Sequence, residues 1–437
     1  MKIHFIGIGG IGVSALAKYY LKTGHKVTGS DLVSSEITKA LEKLGAEIFI
    51  GRHKTENITK NIDLVIYTPA AKPDNPELLK AKVLKIELLS YPEALGKLTE
   101  KYFTIAVSGT HGKSTTAAMI GLLLAKAGLD PTVIMGTKLK EFGNSNCRVG
   151  KSQYLVIEAD EYFASFLNYW PKIIVLTNIE AEHLDYYKNL NNLLRTFKKY
   201  ISHLSKRGAL VANEDDKNIK KILKNYTGAA RVFSLGQNEV KKIREILKVP
   251  GEHNIANSLA ALTVARILKI PDKTSFKVLS EYKGSWRRFE VAKCLYPKPC
   301  ILISDYAHHP TEIRATLRAV REKYPRKEIW CVYQPHQYQR TYYLFNDFVK
   351  AFREAPIDRL IITDIYDVAG REEKKIKKKI NSEKLVKKIN KSWAIYMPIN
   401  KIIKYLKENL AGGEEVVIIM GAGDIYKLAV HLTEKTR

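Results

Sequence analysis

The stretch VSGTHGKSTT, residues 107–116, lies between the apolar β-rich run YFTIAVSG (102–109) and the helix-patterned segment TTAAMIGLLLAKAG (115–128). A strand, a glycine turn carrying G-K-S and then a helix is the setting of a phosphate-binding loop. Gly109 and Gly112 let the backbone bend until its N–H groups face a phosphate at the positive end of the helix dipole. Lys113 is placed for the outer phosphates of a nucleotide, and the Ser114 hydroxyl for Mg²⁺. The usual motif, G-x-x-x-x-G-K-[ST], asks for glycine at 107, where this chain has Val107. The loop is read here as a shortened form, with Val107 ending the strand.

Outward from that loop, strand and helix patterns alternate. Before it come KIHFIGI (2–8), a helical pattern at 11–24, KVTGSD (26–31), a helix at 35–44, AEIFIG (46–51) and DLVIYTPA (63–70). After it come YLVIEAD (154–160), KIIVLTNI (172–179) and GALVANEDD (208–216). A third series runs through CILISDYA (300–307), EIWCVYQP (328–335), RLIITDIY (359–366) and EVVIIMGAG (415–423). This rhythm predicts doubly wound parallel sheets. A chain of 437 residues is also too long for one ordinary core. Three α/β domains are expected, 1–99, 100–283 and 284–437.

Composition narrows the class. The chain is 45% hydrophobic and 9% aromatic, as in a soluble globular protein. No apolar run approaches the roughly 20 residues of a membrane span, so no membrane insertion is expected. MKIHFIGIGG at the start runs into a glycine turn with no A-x-A cleavage site, and reads as a buried strand and not a signal peptide. Cys147, Cys294, Cys300 and Cys331 show no C-x-x-C spacing, which speaks against zinc, redox and disulfide-scaffold readings and makes cytoplasm the default. The formal charge of +27 suits a polyanionic substrate without identifying one. Its densest run, KKIKKKINSEKLVKKINK (374–391), keeps Ile380, Leu385, Val386 and Ile389 at near-helical spacing. That predicts an amphipathic surface helix and not a nucleic-acid tail.

Chemistry-bearing residues recur at strand ends, where ligands of open α/β sheets bind. VIEADE (156–161) places Glu158 at a strand's C-terminal edge, and TNIEAEH (177–183) brings Asn178 and His183. Glu158 and His183 are expected near the metal held by Ser114. PGEHNIANSLAAL (250–262) opens a helix with Asn254 and Asn257 on one face, suited to a purine edge. Asp305 and His308 end one strand of the third series, His336 and Arg340 the next. Chemistry alone does not separate Arg287 from Arg288. At the other end of the chain, Gly7, Gly9 and Gly12 form G-x-G-x-x-G after a strand, and Asp31 closes the next strand. That pattern fits a pyrophosphate at a helix N-terminus and a ribose hydroxyl at the acid, with a dinucleotide as its default ligand.

Taken in order, HFIGIGGIG, GSD, SGTHGKSTT, EADE, TNIEAEHLDYY, PGEHNIAN, RRFE, DYAHHPTE, QPHQYQRT and GAGDI resemble successive blocks of the Mur ligases, over nearly the whole chain. The resemblance implies two Rossmann-like parallel-sheet domains flanking a central P-loop ATPase domain. It implies ATP-dependent ligation of L-alanine to the carboxylate of UDP-N-acetylmuramate, through an acyl phosphate, with ATP and Mg²⁺ as cofactors. Gly7, Gly9, Gly10, Gly12 and Asp31 then hold the UDP-sugar, not NAD. Gly109, Thr110, His111, Gly112, Lys113, Ser114 and Thr115 take the ATP phosphates, and Glu158 and His183 assist the metal. Asn254 and Asn257 meet the adenine side, Arg288 and Asp305 the phosphates and ribose, and His336 and Arg340 the incoming amino acid. A monomer or weak homodimer with no nucleic-acid partner is expected.

The chain departs from the family pattern at a few places. Thirteen residues separate RVFSLG (231–236) from PGEHN (250–254), where such ligases usually carry extra β-hairpins. Gln337 stands where some relatives have arginine, and Phe197, next to Lys198, occupies the register of a carbamylated lysine. EADEY (158–162) also resembles ligases that recycle murein tripeptide onto the same UDP-sugar. An NAD-dependent oxidoreductase and a catalytically silent nucleotide-binding scaffold are the further alternatives.

Overall fold

In the computed structural model, residues 1–294, 298–368, 373–413 and 415–433 are described. They build three sheets. The first contains β1 (Lys2–Ile6), β2 (Lys26–Asp31), β3 (Glu47–Ile50), β4 (Leu64–Tyr67) and β5 (Glu87–Ser90), in the order β3-β2-β1-β4-β5. Every pairing in it is parallel, which is the Rossmann-like arrangement expected. β5 was not expected: ELLS is short, and its burial pattern has no buried position to mark it.

The second sheet contains β6 (Phe103–Ser108), β7 (Thr132–Leu139), β8 (Ser145–Arg148), β9 (Tyr154–Glu158), β10 (Ile173–Leu176), β11 (Ala209–Asn213) and β12 (Ala230–Phe233), in the order β12-β11-β10-β6-β9-β7-β8. β6 is central, between β10 and β9, so the loop at 109–112 leaves the sheet where the winding reverses. β8 pairs antiparallel to β7, a hairpin edge that alternating strand–helix patterns do not announce.

The third contains β13 (Glu290–Cys294), β14 (Cys300–Asp305), β15 (Glu328–Tyr333), β16 (Arg359–Ile362), β17 (Ala394–Tyr396) and β18 (Glu415–Met420), in the order β13-β14-β18-β15-β16-β17. Only β13 runs antiparallel. Both faces are covered. Ile329, Cys331 and Tyr333 of β15 join one apolar cluster and Trp330 and Val332 the other, as the two-residue period of a strand requires.

Contacts divide the chain into two compact units, Met1–Ile246 with Ala256–Glu281, and Leu247–Ile255 with Tyr282–Arg437. The first two sheets share the first unit and one continuous apolar cluster. A buried polar joint ties them. Lys18 Nζ, on the helix after β1, donates to Asn146 Oδ1 of β8 at 2.7 Å. Asn146 Nδ2 in turn donates to the Ile11 carbonyl at 2.7 Å. Burial holds the Lys18 pKa below its ordinary value.

The four cysteines are free and buried, in line with the expectation of no disulfide scaffold. The lysine-rich run is two helices, Lys374–Lys377 and Ser382–Ile389, and not one. Asn381 is extended and caps the second, accepting from Lys384 N at 2.9 Å, so a capping side chain interrupts the periodic pattern. Ile380, Leu385 and Ile389 are buried as predicted. A helix, Glu239–Ile246, fills the shortened segment of the central region, with Ile243 in its core and Glu239 2.7 Å from Arg266.

Glu77 is a fully buried carboxylate beside β1 and β2. It accepts from Ser30 Oγ at 2.6 Å and Asn57 Nδ2 at 2.5 Å, and lies 3.1 Å from His53 Nδ1. Burial alone would raise its pKa, but His4, whose Nε2 lies 3.7 Å away, and the hydrogen bonds from Ser30 and Asn57 outweigh it and lower the value from 4.5 to about 2. Its folded pKa lies below the unfolded one, so its contribution is fully present above 4.5 and is lost as pH falls towards 2. Urea unfolding should therefore show Glu77→Gln less stable than the parent by up to about 3 kcal/mol at pH 7. The gap should shrink between pH 5 and pH 3; a gap constant over that range would contradict the assignment.

Candidate active site

The phosphate loop is built from left-handed glycines. Gly109 has φ +131° and Gly112, which caps the helix Lys113–Lys126, has φ +82°. The end of β10 is stitched to this loop. Thr110 N donates to the Asn178 carbonyl at 2.9 Å, and His111 N to Asn178 Oδ1 at 2.8 Å. Thr177 Oγ1 and Asn178 Nδ2 donate to the His111 carbonyl at 2.6 and 3.1 Å. With those amides engaged, the first-turn N–H groups from Lys113 to Thr115 remain at the helix N-terminus, where no intrahelical acceptor exists.

Lys113 Nζ donates to the Gly109 carbonyl at 2.7 Å and to Glu161 Oε2 at 2.8 Å. Burial disfavours its charge, but Glu161 and Asp160 outweigh burial and hold its pKa above the ordinary lysine value. Ser114 Oγ donates to Glu158 Oε2 at 2.9 Å, and Gly136 N to Glu158 Oε1 at 2.7 Å. Ser114 and Glu158 are thus together, as the position of Glu158 at a strand end suggested. His183 is placed differently. It sits beyond β10 with φ +55°, stacks on Tyr162 at 4.3 Å, and turns Nε2 to Glu161 Oε1 at 3.7 Å. Its acidic neighbours are Asp160 and Glu161, whose ligand atoms lie within 4.8 Å of its own.

Glu161 and Asp160 were missed as site residues. The signal was present in EADE, where a second glutamate follows Glu158 by three residues. Glu161 is 1% exposed, and its Oε1 has no hydrogen-bond partner.

Asn257 lies under the loop: its Oδ1 accepts from Thr116 Oγ1 at 3.1 Å, and a Cβ on Gly112 would come within 2.5 Å of it. Asn254 Nδ2 donates to the Pro250 carbonyl at 2.7 Å. Both carboxamides therefore have protein partners in this state.

In the first sheet, Gly7 and Ile8 donate their N–H groups to the Ser30 carbonyl at 2.8 and 3.1 Å. Gly9 N donates to Asp31 Oδ2 at 2.8 Å, so Asp31 shapes the loop itself. Gly10 caps the helix Ile11–Lys22, and a Cβ on Gly12 would lie 3.0 Å from the Tyr91 ring. No acidic residue lies in the first turn of that helix, which leaves its N-terminus open to an anion.

In the second unit the two adjacent arginines separate. Arg287 is buried with φ +56°, and its Nη2 donates to the Gly421 and Gly423 carbonyls at 2.6 and 3.0 Å. Arg288 is partly exposed and lies over Tyr306 at 4.6 Å. Asp305 is buried, which raises its pKa, while N–H donors from Ala307 and Phe289 work the other way. Arg340 Nη1 is 3.2 Å from His336 Nδ1 and 3.1 Å from the His336 carbonyl. The His336 ring stacks on Tyr366 at 5.5 Å and meets His308 edge-on at 5.9 Å.

Three family models match in sequence: the Mur ligase family catalytic domain over residues 2–103, the Mur ligase middle domain over 107–248 and the glutamate ligase domain of Mur ligases over 287–423. The chain belongs to the Mur ligase family. Among its relatives, the UDP-N-acetylmuramate–L-alanine ligase of Acetivibrio thermocellus is 44% identical, over 98% of this chain and 94% of that one. The enzyme of that name from Clostridium tetani is 42% identical, over 98% and 96%. The crystal structure of UDP-N-acetylmuramate-alanine ligase MurC from Thermotoga maritima superposes with a TM-score of 0.80 at 28% identity, covering 99% of this chain and 98% of that one. This Mur ligase thus has the α/β fold expected, with two Rossmann-like sheets flanking a central P-loop domain. Among the described residues no helix is long and apolar enough to cross a membrane.

Proposed function

We propose that this Mur ligase joins L-alanine to the carboxylate of UDP-N-acetylmuramate, forming ADP and phosphate through an acyl phosphate, as an ADP-forming ligase of peptidoglycan precursor synthesis. The reading is carried by the Lys113–Ser114–Glu158 arrangement at the mouth of β6, in a chain 44% identical to an L-alanine ligase. A carboxylate is a poor acyl donor, and phosphorylation by ATP turns it into a good one. Lys113 and the first-turn amides place positive charge where it develops on the transferring phosphoryl group. The alanine amine then attacks the acyl carbon and phosphate leaves.

The residues present fit Mg²⁺. Ser114 and Glu158 offer oxygen donors, and the buried Glu161 Oε1 is an acceptor without a partner. Magnesium held by Ser114 and Glu158, with the donor set of Asp160, Glu161 and His183 on the far side of Lys113, would neutralise and align phosphate oxygens. In the first domain, the Gly7–Gly12 turn and the amides opening the helix at Ile11 suit the UDP pyrophosphate. Three domains, 1–99, 100–283 and 284–437, are assigned, one to each sheet. Asn254 and Asn257 are assigned to the adenine. Asp305 and Arg288 are assigned to ribose and phosphate, Arg288 because Arg287 is spent on the 421–423 turn.

Phosphate release tests the reading, measured with ATP, Mg²⁺ and UDP-N-acetylmuramate, with and without L-alanine, glycine, L-serine or murein tripeptide. Release should require the sugar and L-alanine; dependence on tripeptide instead would move the enzyme to the recycling class, and indifference to both would end the ligase reading. With Gln337 beside it, Arg340 alone of this block is left to grip the alanine carboxylate. Arg340→Ala should raise the KM for alanine about 10- to 100-fold, the value of a charge-assisted hydrogen bond. The KM for ATP should be unchanged, and steady-state kinetics with each substrate varied will show the split.

A further inference from the structure

Lys113 commits its ammonium inside the protein. Its Nζ donates to the Gly109 carbonyl at 2.7 Å, the Thr110 carbonyl at 3.4 Å and Glu161 Oε2 at 2.8 Å, with Asp160 Oδ1 at 3.8 Å. An ammonium has three N–H donors, so a phosphate oxygen gains one only if a present acceptor lets go. The two carbonyls belong to the loop that must itself cradle the phosphate. Glu161 is the acceptor that can be exchanged.

Its surroundings say what exchanges with it. The carboxylate is 1% exposed and cannot be left without a counter-charge. Its second oxygen, Oε1, has no hydrogen-bond partner and faces His183 Nε2 at 3.7 Å. Asp160, Glu161 and His183 hold ligand atoms within 4.8 Å of one another. The backbone there is pinned, since Tyr187 Oη donates to the Glu161 carbonyl, so Glu161 changes partners without moving far.

We propose that Glu161 is an exchange residue: it is the counter-ion of Lys113 while the loop is empty, and it passes to a divalent cation gathered with Asp160 and His183 when Lys113 turns to a nucleotide phosphate. Lysine and cation compete for one carboxylate, so filling the cluster releases the lysine, and cation and nucleotide assist each other through Glu161. The inference rests on the reading of the loop as an ATP site. It makes Glu161 a positioning residue that acts through Lys113.

Two binding measurements test it without turnover. Mn²⁺ affinity is read by electron paramagnetic resonance with no nucleotide present, for the parent, Lys113→Met and Glu161→Gln. ADP affinity is read by calorimetry in EDTA for the parent and Glu161→Gln. Removing the competing lysine should tighten Mn²⁺ binding about fivefold or more, a coupling of ordinary size. Glu161→Gln should weaken Mn²⁺ binding and tighten metal-free ADP binding by a similar factor of about five. Unchanged or weaker Mn²⁺ binding in Lys113→Met, or unchanged or weaker ADP binding in Glu161→Gln, overturns the exchange. Either variant decides alone, so loss of the fold in one leaves the other as the test. A parent protein that binds no ADP with or without metal would refute the nucleotide reading instead.

Discussion

Lys113→Ala should lower turnover by about 10³-fold or more, because the positive charge it removes faces the transferring phosphoryl group. The same change should also destabilise the protein, which an exposed catalytic lysine would not do. Lys113 Nζ lies 2.8 Å from Glu161, which is 1% exposed, and its loss strands a buried carboxylate. Breaking one side of such a pair costs about 3–5 kcal/mol. Adding Glu161→Ala should return most of that stability while activity stays lost, so the two changes are non-additive in urea unfolding and not in phosphate release. Substantial turnover by Lys113→Ala would remove the loop from the mechanism. Equal stability of parent and single variant would remove the pair from the fold.

The architecture was legible where the pattern was long and periodic. β1, β6, β14, β15 and β18 fall inside runs picked out by hydrophobicity alone. β5, β12 and β17 are edge strands with at most one buried position each, so no apolar run marks them. The antiparallel β8 and β13 sit at sheet edges, each the arm of a hairpin with the neighbouring β7 or β14, a connection that strand–helix alternation does not announce. The lysine-rich run shows a different limit. Its apolar period survives across 374–391, but the extended Asn381 divides the chain into two helices, and periodicity does not register a cap.

In the site, Ser114 and Glu158 could be paired from sequence because Glu158 ends β9 and Ser114 opens the helix that follows the adjacent β6: the two strands align Val107 with Glu158. His183 could not be placed that way. Seven residues past the end of β10, in a left-handed conformation, its direction is set by the Tyr162 ring and the 160–161 turn. Arg287 and Arg288 are alike in chemistry and adjacent in sequence. A positive φ at Arg287 and the carbonyls of the distant 421–423 turn are what tell them apart.

Gly109→Ala should be among the most damaging single-atom additions in the chain. At φ +131° an L-residue is strained before any contact is counted. The added Cβ would lie 2.2 Å from Thr177 Oγ1, 2.8 Å from the Asn178 carbonyl oxygen and 3.0 Å from Asn178 N. Two of those three atoms are backbone, so no rotamer change relieves the clash. Relief requires the loop to part from β10, which breaks the bonds from Thr110 and His111 to Asn178 and shifts the Gly109 carbonyl that Lys113 uses. A misplacement of about 1 Å costs about 10²-fold in rate, and strain with overpacking about 3 kcal/mol in stability. Val107→Gly, which restores the usual motif, should do the opposite of what that motif suggests. Val107 is fully buried in β6, paired with Val175 on one side and Glu158 on the other. Its loss should lower stability by about 2 kcal/mol or more and leave kcat within about threefold, because the phosphate cradle begins two residues later. Phosphate release and thermal unfolding of the two variants therefore separate loop from strand; a rate gain in Val107→Gly, or near-parent behaviour of Gly109→Ala, would show that the cradle starts at 107 after all.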